Sequence, residues 1–318
     1  MRKILALLLC LMMVISCIPA MAEEAAAVRT GLSFVTSLTK SKDGQSQANI
    51  AITAVALDDN GVITACVIDM IQGKIAFDET GKLTTDKATE FQSKNELGDG
   101  YGMRKASSIA AEWNEQAAAF AAYCVGKTAE QLQAAELNEK EQVVDIAASC
   151  TLTVNEFLPG VLDAAAKAEH RGAKAGDALK LTQVSTMSKS KDAAAEADGQ
   201  AQVYTHVGMF TVNGDVITSA YIDAVQATVK FNAQGKITSD VTAAVQTKNE
   251  LKDGYGMKAI SSIDKEWYEQ AAAFCEFITG KTLNDAIAVA ANPADTDVIA
   301  SCTIGTDDFL KLIVKAGL

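Results

Sequence analysis

Histidine and positive charge are both scarce in this chain. The 318 residues include only two histidines, His170 and His206, and His206 aligns with a position near Ile52 in the other half of the sequence. With no shared histidine, a Ser/His/Asp triad or a histidine-rich metal site in both halves is excluded. Twenty-eight basic residues against 40 acidic residues give a net charge of −12, which excludes binding to nucleic acid or to an anionic membrane surface.

Two familiar site motifs are also missing. No C-x-x-C pair occurs, so the cysteines lack the spacing of a metal site or of a dithiol redox motif. The GKT tripeptides at 126–128 and 280–282 follow Ala121 and Cys275 at the position where a phosphate-binding loop requires glycine. A site for nucleoside triphosphates is therefore excluded.

Long apolar runs are confined to the N-terminus. Arg2 and Lys3 precede an apolar run that ends before Pro19, and Ala20-Met21-Ala22 has the small-x-small pattern of a cleavage site. These features predict a secretory signal peptide over residues 1–22 and an exported protein without a transmembrane segment after cleavage. Val14-Ile15-Ser16-Cys17 also resembles a lipoprotein box, which would leave the chain anchored at Cys17.

Removal of residues 1–22 changes both the charge and the cysteine count. Two cations and no anion are lost, so the net charge becomes −14. The cysteines that remain are Cys66, Cys124, Cys150, Cys275 and Cys302. Their number is odd, which argues against a disulfide framework. At least one free thiol is therefore expected, although an exported chain could form one or two bridges.

The chain contains an internal duplication. Residues 62–128 match residues 216–282 at roughly half of their positions, and KNEL at 94–97 recurs unchanged at 248–251. Copies of this size predict two domains rather than a solenoid. We place the first domain at 23–168, a linker at 169–177 and the second domain at 178–318. The linker sequence is small and charged, which is typical of a flexible connection.

Local patterns predict an α+β fold in each copy. β-branched residues alternate on both sides of Asp58-Asp59-Asn60-Gly61, a hairpin signal, and a third strand is expected near KIAFD. A helix follows, with Ile109, Trp113, Ala117, Phe120 and Cys124 on one face and Ser107 or Ser108 as its cap. Gly126 ends it, and Thr128 with Gln131 has the spacing of a capping box. A last strand and a helix over NEFLPGVLDAAAKA, capped by Thr153 and Glu156, complete the copy.

A seven-residue pattern, D-x-x-A-S-C-T, closes each copy. It occurs at 145–151 and at 297–303, and a helical sequence follows each time. In one interpretation, each threonine binds a phosphate-bearing cofactor at a helix N-terminus, where free N–H groups and the helix dipole favour anions. In the other, each is an ordinary turn residue. We name residues 145–151 and 297–303 the threonine turns.

The order of strand, turn, VITxxxID, insertion, threonine turn and helix resembles the FMN-binding domain of NqrC and RnfG subunits and of exported flavoproteins. The resemblance implies that a separate flavin transferase esterifies the threonine hydroxyl with the phosphate of FMN. It further implies electron transfer with a membrane-bound or surface redox partner. The family's closing motif, S-G-A-T, assigns cofactor-binding roles to Thr151, Thr303, Asp145, Asp297, Ser149 and Ser301. In this chain Ser149 and Ser301 replace its glycine, and Cys150 and Cys302 replace its alanine.

Other repeated residues have two interpretations each. Tyr101 and Tyr255 lie in the glycine-rich D-G-Y-G-M segment and are candidates for contacting the ligand. Trp113 and Trp267 could stack on a flavin ring, but their place on the apolar helix face favours the core. We interpret the KNEL segments as hydrogen-bonded loops. The pairs Glu112/Glu115 and Glu266/Glu269 are interpreted as a solvated helix face rather than as acid/base pairs.

A second functional class remains open. The same duplicated fold could serve as a cofactor-free binding module at the cell surface, with the KNELxDGYGM segments forming its contact face. The altered S-G-A positions favour this hypothesis, because they change the motif that a flavin transferase recognises.

Overall fold

The structure is a computed structural model that describes residues 25–155, 157–292 and 297–317. The predicted signal peptide and the lipoprotein cysteine lie outside these residues. The strands are β1 (Ala27–Ser37), β2 (Gln45–Leu57), β3 (Ile63–Ala76), β4 (Glu90–Phe91), β5 (Glu169–Lys174), β6 (Ala178–Thr186), β7 (Gly199–Asn213) and β8 (Val216–Phe231). The helices are α1 (Lys94–Leu97), α2 (Trp113–Cys124), α3 (Ala129–Gln133), α4 (Leu158–Ala166), α5 (Lys248–Leu251), α6 (Trp267–Ile278), α7 (Leu283–Ala291) and α8 (Asp307–Ala316).

The strands form two antiparallel sheets of four, in the orders β3-β2-β1-β5 and β4-β6-β7-β8. Each sheet centres on a meander of three long strands from one copy. With helices packed on these sheets, the α+β class predicted from the sequence is confirmed.

Four layers stack in the order helices, sheet, sheet, helices. Residues 48–57 of the central strand β2 are all buried, because one face contacts the other copy and the opposite face contacts helices α2 and α4. Burial on both faces explains why this strand is apolar almost without a break. Two outer cores, one in each copy, lie between a sheet and its own helices.

The two sheets pack on each other through equivalent positions of the repeat. Phe77 and Phe231 stack with ring centroids 3.9 Å apart and an interplanar angle of 7°. Gly73 allows a second close approach, since a Cβ there would lie 2.5 Å from Cγ2 of Val203. The copies therefore share a central core in addition to the outer core that each one has.

Several sequence predictions of element bounds need correction. The segments VITACVID and KIAFD form one continuous strand, β3. The stretch predicted to be a linker, 169–177, begins with strand β5, which pairs with β1. The last helix of the first copy starts at Leu158 with Pro159 in its first turn, not at Asn155. The N-cap of this helix is Phe157, so the predicted cap at Thr153 is wrong, and its partner Glu156 lies outside the described residues.

Helix α2 begins later than its serines predict. Its N-cap is Glu112, whose side chain forms a reciprocal capping box with Glu115, so Ile109 precedes the helix. The predictions at its other end are confirmed. Gly126 has a φ of 84°, and Thr128 with Gln131 forms the capping box of α3.

Candidate functional site

The first threonine turn is fixed to helix α2 by one buried glutamine. Gln116 is fully buried, and its Oε1 accepts hydrogen bonds from the Thr151 amide at 2.8 Å and from the Thr151 hydroxyl at 3.0 Å. Its Nε2 donates to Ser107 Oγ and to the carbonyl of Ala111, both at 3.1 Å. All the polar atoms of this side chain are thus used to hold the turn and the loop before the helix.

The second threonine turn repeats this arrangement. Oε1 of Gln270 accepts the Thr303 amide at 2.8 Å and the Thr303 hydroxyl at 3.1 Å. Its Nε2 donates to Ser261 Oγ at 3.2 Å and to the carbonyl of Lys265 at 3.0 Å. Both glutamines belong to the repeated E-Q-A-A-A-F motif, which is the only sequence signal that marks them.

The structure does not place either threonine at a helix N-terminus. Thr151 lies seven residues before Leu158, the first residue of α4, and Thr303 lies four residues before Asp307 of α8. The strand predicted before each turn is also wrong, since 3₁₀ turns at Val144–Ile146 and Asp297–Ala300 occupy those places. The helix dipole that was expected to favour a phosphate is therefore not directed at these hydroxyls.

The remaining motif residues lie around the turns. Ser149 Oγ donates to the Ile146 carbonyl at 3.2 Å, and Ser301 Oγ donates to the Val298 carbonyl at 3.4 Å. Neither serine has a positive φ, so the backbone at these positions does not require glycine. Asp145 is exposed and accepts a hydrogen bond from the Tyr123 hydroxyl at 3.3 Å. The side chain of Asp297 lies outside the described part of the structure.

The cysteine beside each threonine points into the core. Cys150 and Cys302 are 3% and 2% exposed, and burial raises the pKa of both thiols. These thiols stay protonated at neutral pH and act as small apolar side chains. The predicted free thiols are present, since all five cysteines of the described chain are unpaired.

The two turns differ in the charge near the threonine. Lys265 lies close enough to the second turn to lower the pKa of Cys302 against the larger effect of burial. The first copy has Ala111 at this position. Thr303 is exposed, whereas Thr151 is half-buried. The surroundings of the two threonines therefore differ in burial and in nearby charge.

Tyr101 and Tyr255 do not project freely from their loops. The Lys94 ammonium lies over the ring of Tyr101 at 4.6 Å and over that of Trp113 at 4.9 Å from the ring centroids. Lys248 lies over Tyr255 at 4.5 Å and Trp267 at 4.7 Å. We name each lysine with its surrounding rings a lysine cage. Both tryptophans are buried, which confirms their predicted core role.

The second lysine cage has a third ring. The Lys248 ammonium also lies 4.7 Å from the Tyr204 ring and donates a hydrogen bond to the Tyr204 hydroxyl. Lys248 is 3% exposed, and burial lowers its pKa to about 7, although the charge of Asp223 opposes this change. The KNEL lysine is therefore an interior residue.

The other KNEL residues hold the segment against strand β3 or β8. The Asn95 amide donates to Asp69 Oδ1 at 3.0 Å, and Asn95 Nδ2 donates to the Ile68 carbonyl at 2.9 Å. Asn249 makes the same pair of bonds to Asp223 and Ile222, both at 3.0 Å. The predicted hydrogen bonding of the KNEL segments is confirmed, but the prediction that they are loops is wrong, because both form the short helices α1 and α5.

The predicted solvated helix face is wrong for two of its four glutamates. Glu112 and Glu266 are each 2% exposed. The Glu112 carboxylate accepts the amides of Met103 at 2.8 Å and Arg104 at 2.9 Å, and Glu266 does the same for the second loop. These buried carboxylates are satisfied by backbone donors and fix the D-G-Y-G-M loops.

Asp69 and Asp223 are buried carboxyls that the sequence analysis did not select. Asp69 is 6% exposed and Asp223 is 4% exposed, and each follows the VITxxxI segment of its copy. Burial raises the pKa of Asp69 to about 6 and that of Asp223 to about 7, while hydrogen bonds from the KNEL segments lower both. Carboxyl groups that titrate near neutral pH mark these positions as functional candidates.

Metal binding and membrane spanning have no support in the described residues. Within 25–155, 157–292 and 297–317, no group of three or more His, Cys, Asp or Glu side chains could hold a metal ion. No helix in the same ranges is long and apolar enough to cross a bilayer. Comparison of the chain with protein-family models, with curated proteins and with solved structures found no match in any of the three.

Proposed function

We propose that the chain is an exported flavoprotein that carries FMN through phosphodiester bonds to Thr151 and Thr303. The observation that supports this proposal best is the repeated geometry of the two hydroxyls. Each is held by the side-chain oxygen of a buried glutamine, Gln116 or Gln270, at 3.0 Å or 3.1 Å. A purely structural turn needs only the amide bond to that oxygen, which both threonines also make.

The residues around each turn suit attachment by a separate enzyme. In the transfer, the threonine oxygen bonds to the phosphorus of an activated FMN donor, the donor's leaving group departs with its electron pair, and the hydroxyl proton is released. The glutamine oxygen orients the hydroxyl, and Lys265 would pair with the phosphate at Thr303. FMN, once bound, supplies the electron-transfer chemistry. A covalent link keeps the cofactor on a protein that works outside the cytoplasm.

The partners follow from this role. The chain needs a flavin transferase and a redox partner at the membrane or the cell surface. Its acidic surface, with a formal net charge of −12 over the whole sequence, favours a partner with a basic docking face.

Threonine substitution tests the proposal. The mature chain is co-expressed with a flavin transferase, denatured, and measured by intact mass and visible absorption. We expect Thr151→Ala and Thr303→Ala each to remove one FMN, and the double variant to be colourless. Thr153→Ala, an exposed threonine two residues from the first turn, is the matched control and should keep the full mass gain. Covalent flavin on the double variant would refute the assignment.

A second candidate function is a cofactor-free binding module, which the exposed loops favour. Gly98, Gly102 and Gly256 have positive φ. A Cβ placed on any of them would have no neighbouring atom within 4 Å, so these loops are open to solvent there. Near the second loop, Ile260 is 86% exposed. Exposed loops of this kind can contact a partner, because these residues do not pack in the core. An unmodified chain from cells that contain a transferase active on a control substrate would support this function over the first.

A further inference from the structure

The copies meet at two clefts that the internal repeat relates to each other. The Asp223 cleft is a cavity of about 320 Å³. It lies between Asp223, Asn249 and Tyr221 of the second copy, Leu32 and Phe34 of strand β1, and Arg171 of strand β5. The Asp69 cleft, of about 540 Å³, lies at the equivalent junction and includes Asp69, Asn95 and Gln183.

The floor of the Asp223 cleft presents hydrogen-bond acceptors. Asp223 Oδ1 accepts the amides of Ala224 at 2.7 Å and Asn249 at 3.0 Å. The Asn249 amide nitrogen donates to the Ile222 carbonyl, but Asn249 Oδ1 is buried and has no hydrogen-bond partner. A buried acceptor without a donor is costly, and an N–H group brought by a ligand would offset that cost.

One wall of the cleft carries a cation on an aromatic ring. The Arg171 guanidinium lies 4.5 Å from the centroid of Tyr221, and the arginine side chain is only 17% exposed. Arg171 donates to Glu169 at 2.9 Å and to the Thr30 carbonyl. A guanidinium has five N–H donors, so donors remain for a further anionic group.

These groups surround one small space. Burial raises the pKa of the Tyr221 hydroxyl, the charges of Asp223 and Glu169 raise it further, and Asn249 and Arg171 lower it. The same side chains line the cleft around Tyr221. Leu32 and Phe34 add apolar surface to the lining, and Lys167, Glu250 and Lys252 complete it.

We propose that the Asp223 cleft binds a small zwitterion of the amino-acid type. Its ammonium group pairs with Asp223 and donates to Asn249 Oδ1, its carboxylate pairs with Arg171, and its side chain packs on Phe34. A cavity of about 520 Å³ continues on the other side of Arg171 and Tyr221, which leaves room for the second residue of a dipeptide. This site is separate from the threonine turns and does not depend on flavin.

The Asp69 cleft is a matched internal control. Strand register places Gln183 at the position of Phe34, and Gln183 Nε2 donates to Glu96 Oε2 at 2.6 Å. Val67 occupies the position of Tyr221, and no arginine lines the cleft. Asp69 is present without the guanidinium or the ring, and the cation that lines this cleft, Lys315, already donates to Glu96 and to the Gln183 carbonyl, so this cleft should not bind the zwitterion.

Calorimetric titration of the mature chain tests the proposal. The probes are the twenty common amino acids and a set of apolar dipeptides, which separate the two ligand lengths. Simple alkylamines and N-acetylated amino acids, each with only one of the charges, should bind at least about tenfold more weakly. Asp223→Asn and Arg171→Gln should each weaken binding by about 10- to 100-fold, because each removes a charge-assisted hydrogen bond.

The equivalent substitution in the other cleft supplies the control. Asp69→Asn should change affinity less than about twofold, and Phe34→Gln, which copies the first cleft, should reduce affinity for apolar side chains. Circular dichroism confirms that each variant is folded. If no probe binds at millimolar concentration, or if Asp69→Asn and Asp223→Asn weaken binding equally, the proposal is wrong. Binding that survives Arg171→Gln unchanged also overturns it.

Discussion

The two copies share the buried glutamines and glutamates that hold the threonine turns and the loops. They differ in the side chains of the strands that pack beside these residues. Gln116 and Gln270 hold equivalent threonines, and Glu112 and Glu266 hold equivalent loops. The framework bonds agree between the copies to within about 0.1 Å. Conserved geometry on a divergent sheet indicates that the threonine turns are the shared feature of the molecule, while the surrounding sites have become specialised.

The central strands β2 and β7 differ at two positions that face the site residues. Tyr204 pairs with Gln226 and Asn49 pairs with Gln72, so strand register makes tyrosine and asparagine equivalent. The same register aligns His206 with Ala51, not with Ile52 as the sequence alignment predicted.

His206 adds a buried pair that the first copy does not have. Its Nδ1 lies 3.1 Å from Asp308 Oδ2, at the start of helix α8. Burial lowers the pKa of His206, while the hydrogen bond and charge of Asp308 raise it. The second copy thus has a more polar interior between its sheet and its last helix.

The largest expected effect breaks the feature that the copies share. Gln116→Ala or Gln270→Ala leaves the threonine amide and the preceding loop without their partners, and each should reduce the free energy of unfolding by about 2 to 4 kcal/mol. Urea denaturation measures the change. Gln133→Ala, at an exposed helix position, should cost less than about 0.5 kcal/mol. If Gln116→Ala and Gln270→Ala lower the free energy of unfolding by very different amounts, the two threonine turns are not equivalent.

The next prediction compares the buried carboxyls by pH. The pKa of Asp223 is about 7 in the fold and near 3.8 in the unfolded chain, and that of Asp69 is about 6 in the fold. A raised carboxyl pKa means that the fold is penalised as pH rises from the unfolded value through the folded one. Asp223→Asn removes this penalty, so it should stabilise the protein on the order of 3 kcal/mol at pH 8 and little at pH 4.

Unfolding curves measured from pH 4 to pH 8 test this prediction. Asp69→Asn should give the same trend with a smaller gain, which is complete about one pH unit earlier, because its folded pKa is lower. If Asp223→Asn and the parent chain are equally stable at pH 8, burial of the ionised Asp223 carboxylate does not lower the free energy of unfolding, and the prediction is wrong.

The smallest expected effect concerns the lysine cages. Tyr204→Asn gives the second copy the residue of the first and removes one ring and one hydrogen-bond acceptor from Lys248. We expect a loss of about 1 to 2 kcal/mol in thermal or urea denaturation. Tyr204→Phe keeps the ring and should recover roughly half of that loss. If both variants cost the same, the hydroxyl rather than the ring supports the lysine.

Local sequence patterns predicted the features that depend on neighbours in the chain. The hairpin at 58–61, the positive φ of Gly126 and the capping box at Thr128 all follow from residues within a few positions of each other. The internal duplication predicted that the two copies have the same elements and the same site residues at equivalent positions.

Long-range packing determined the rest. The bond from Gln116 to Thr151 joins residues 35 positions apart, and strand β4 pairs with β6 of the other copy. No period of the sequence encodes such pairings. Glu112 was assigned to solvent because its charge suggests exposure, but the amides of Met103 and Arg104 replace water around it. Buried charges with backbone partners remain difficult to recognise from composition alone.

The central claim is that the two equivalent threonine turns carry flavin, and the number of FMN groups per chain tests it most directly. Mature protein co-expressed with a flavin transferase is denatured, and its intact mass and peptide map are recorded. We predict a mass gain of two FMN units, at Thr151 and Thr303. An unmodified chain, produced beside a control substrate that is modified, would contradict the account and show that the turns are structural.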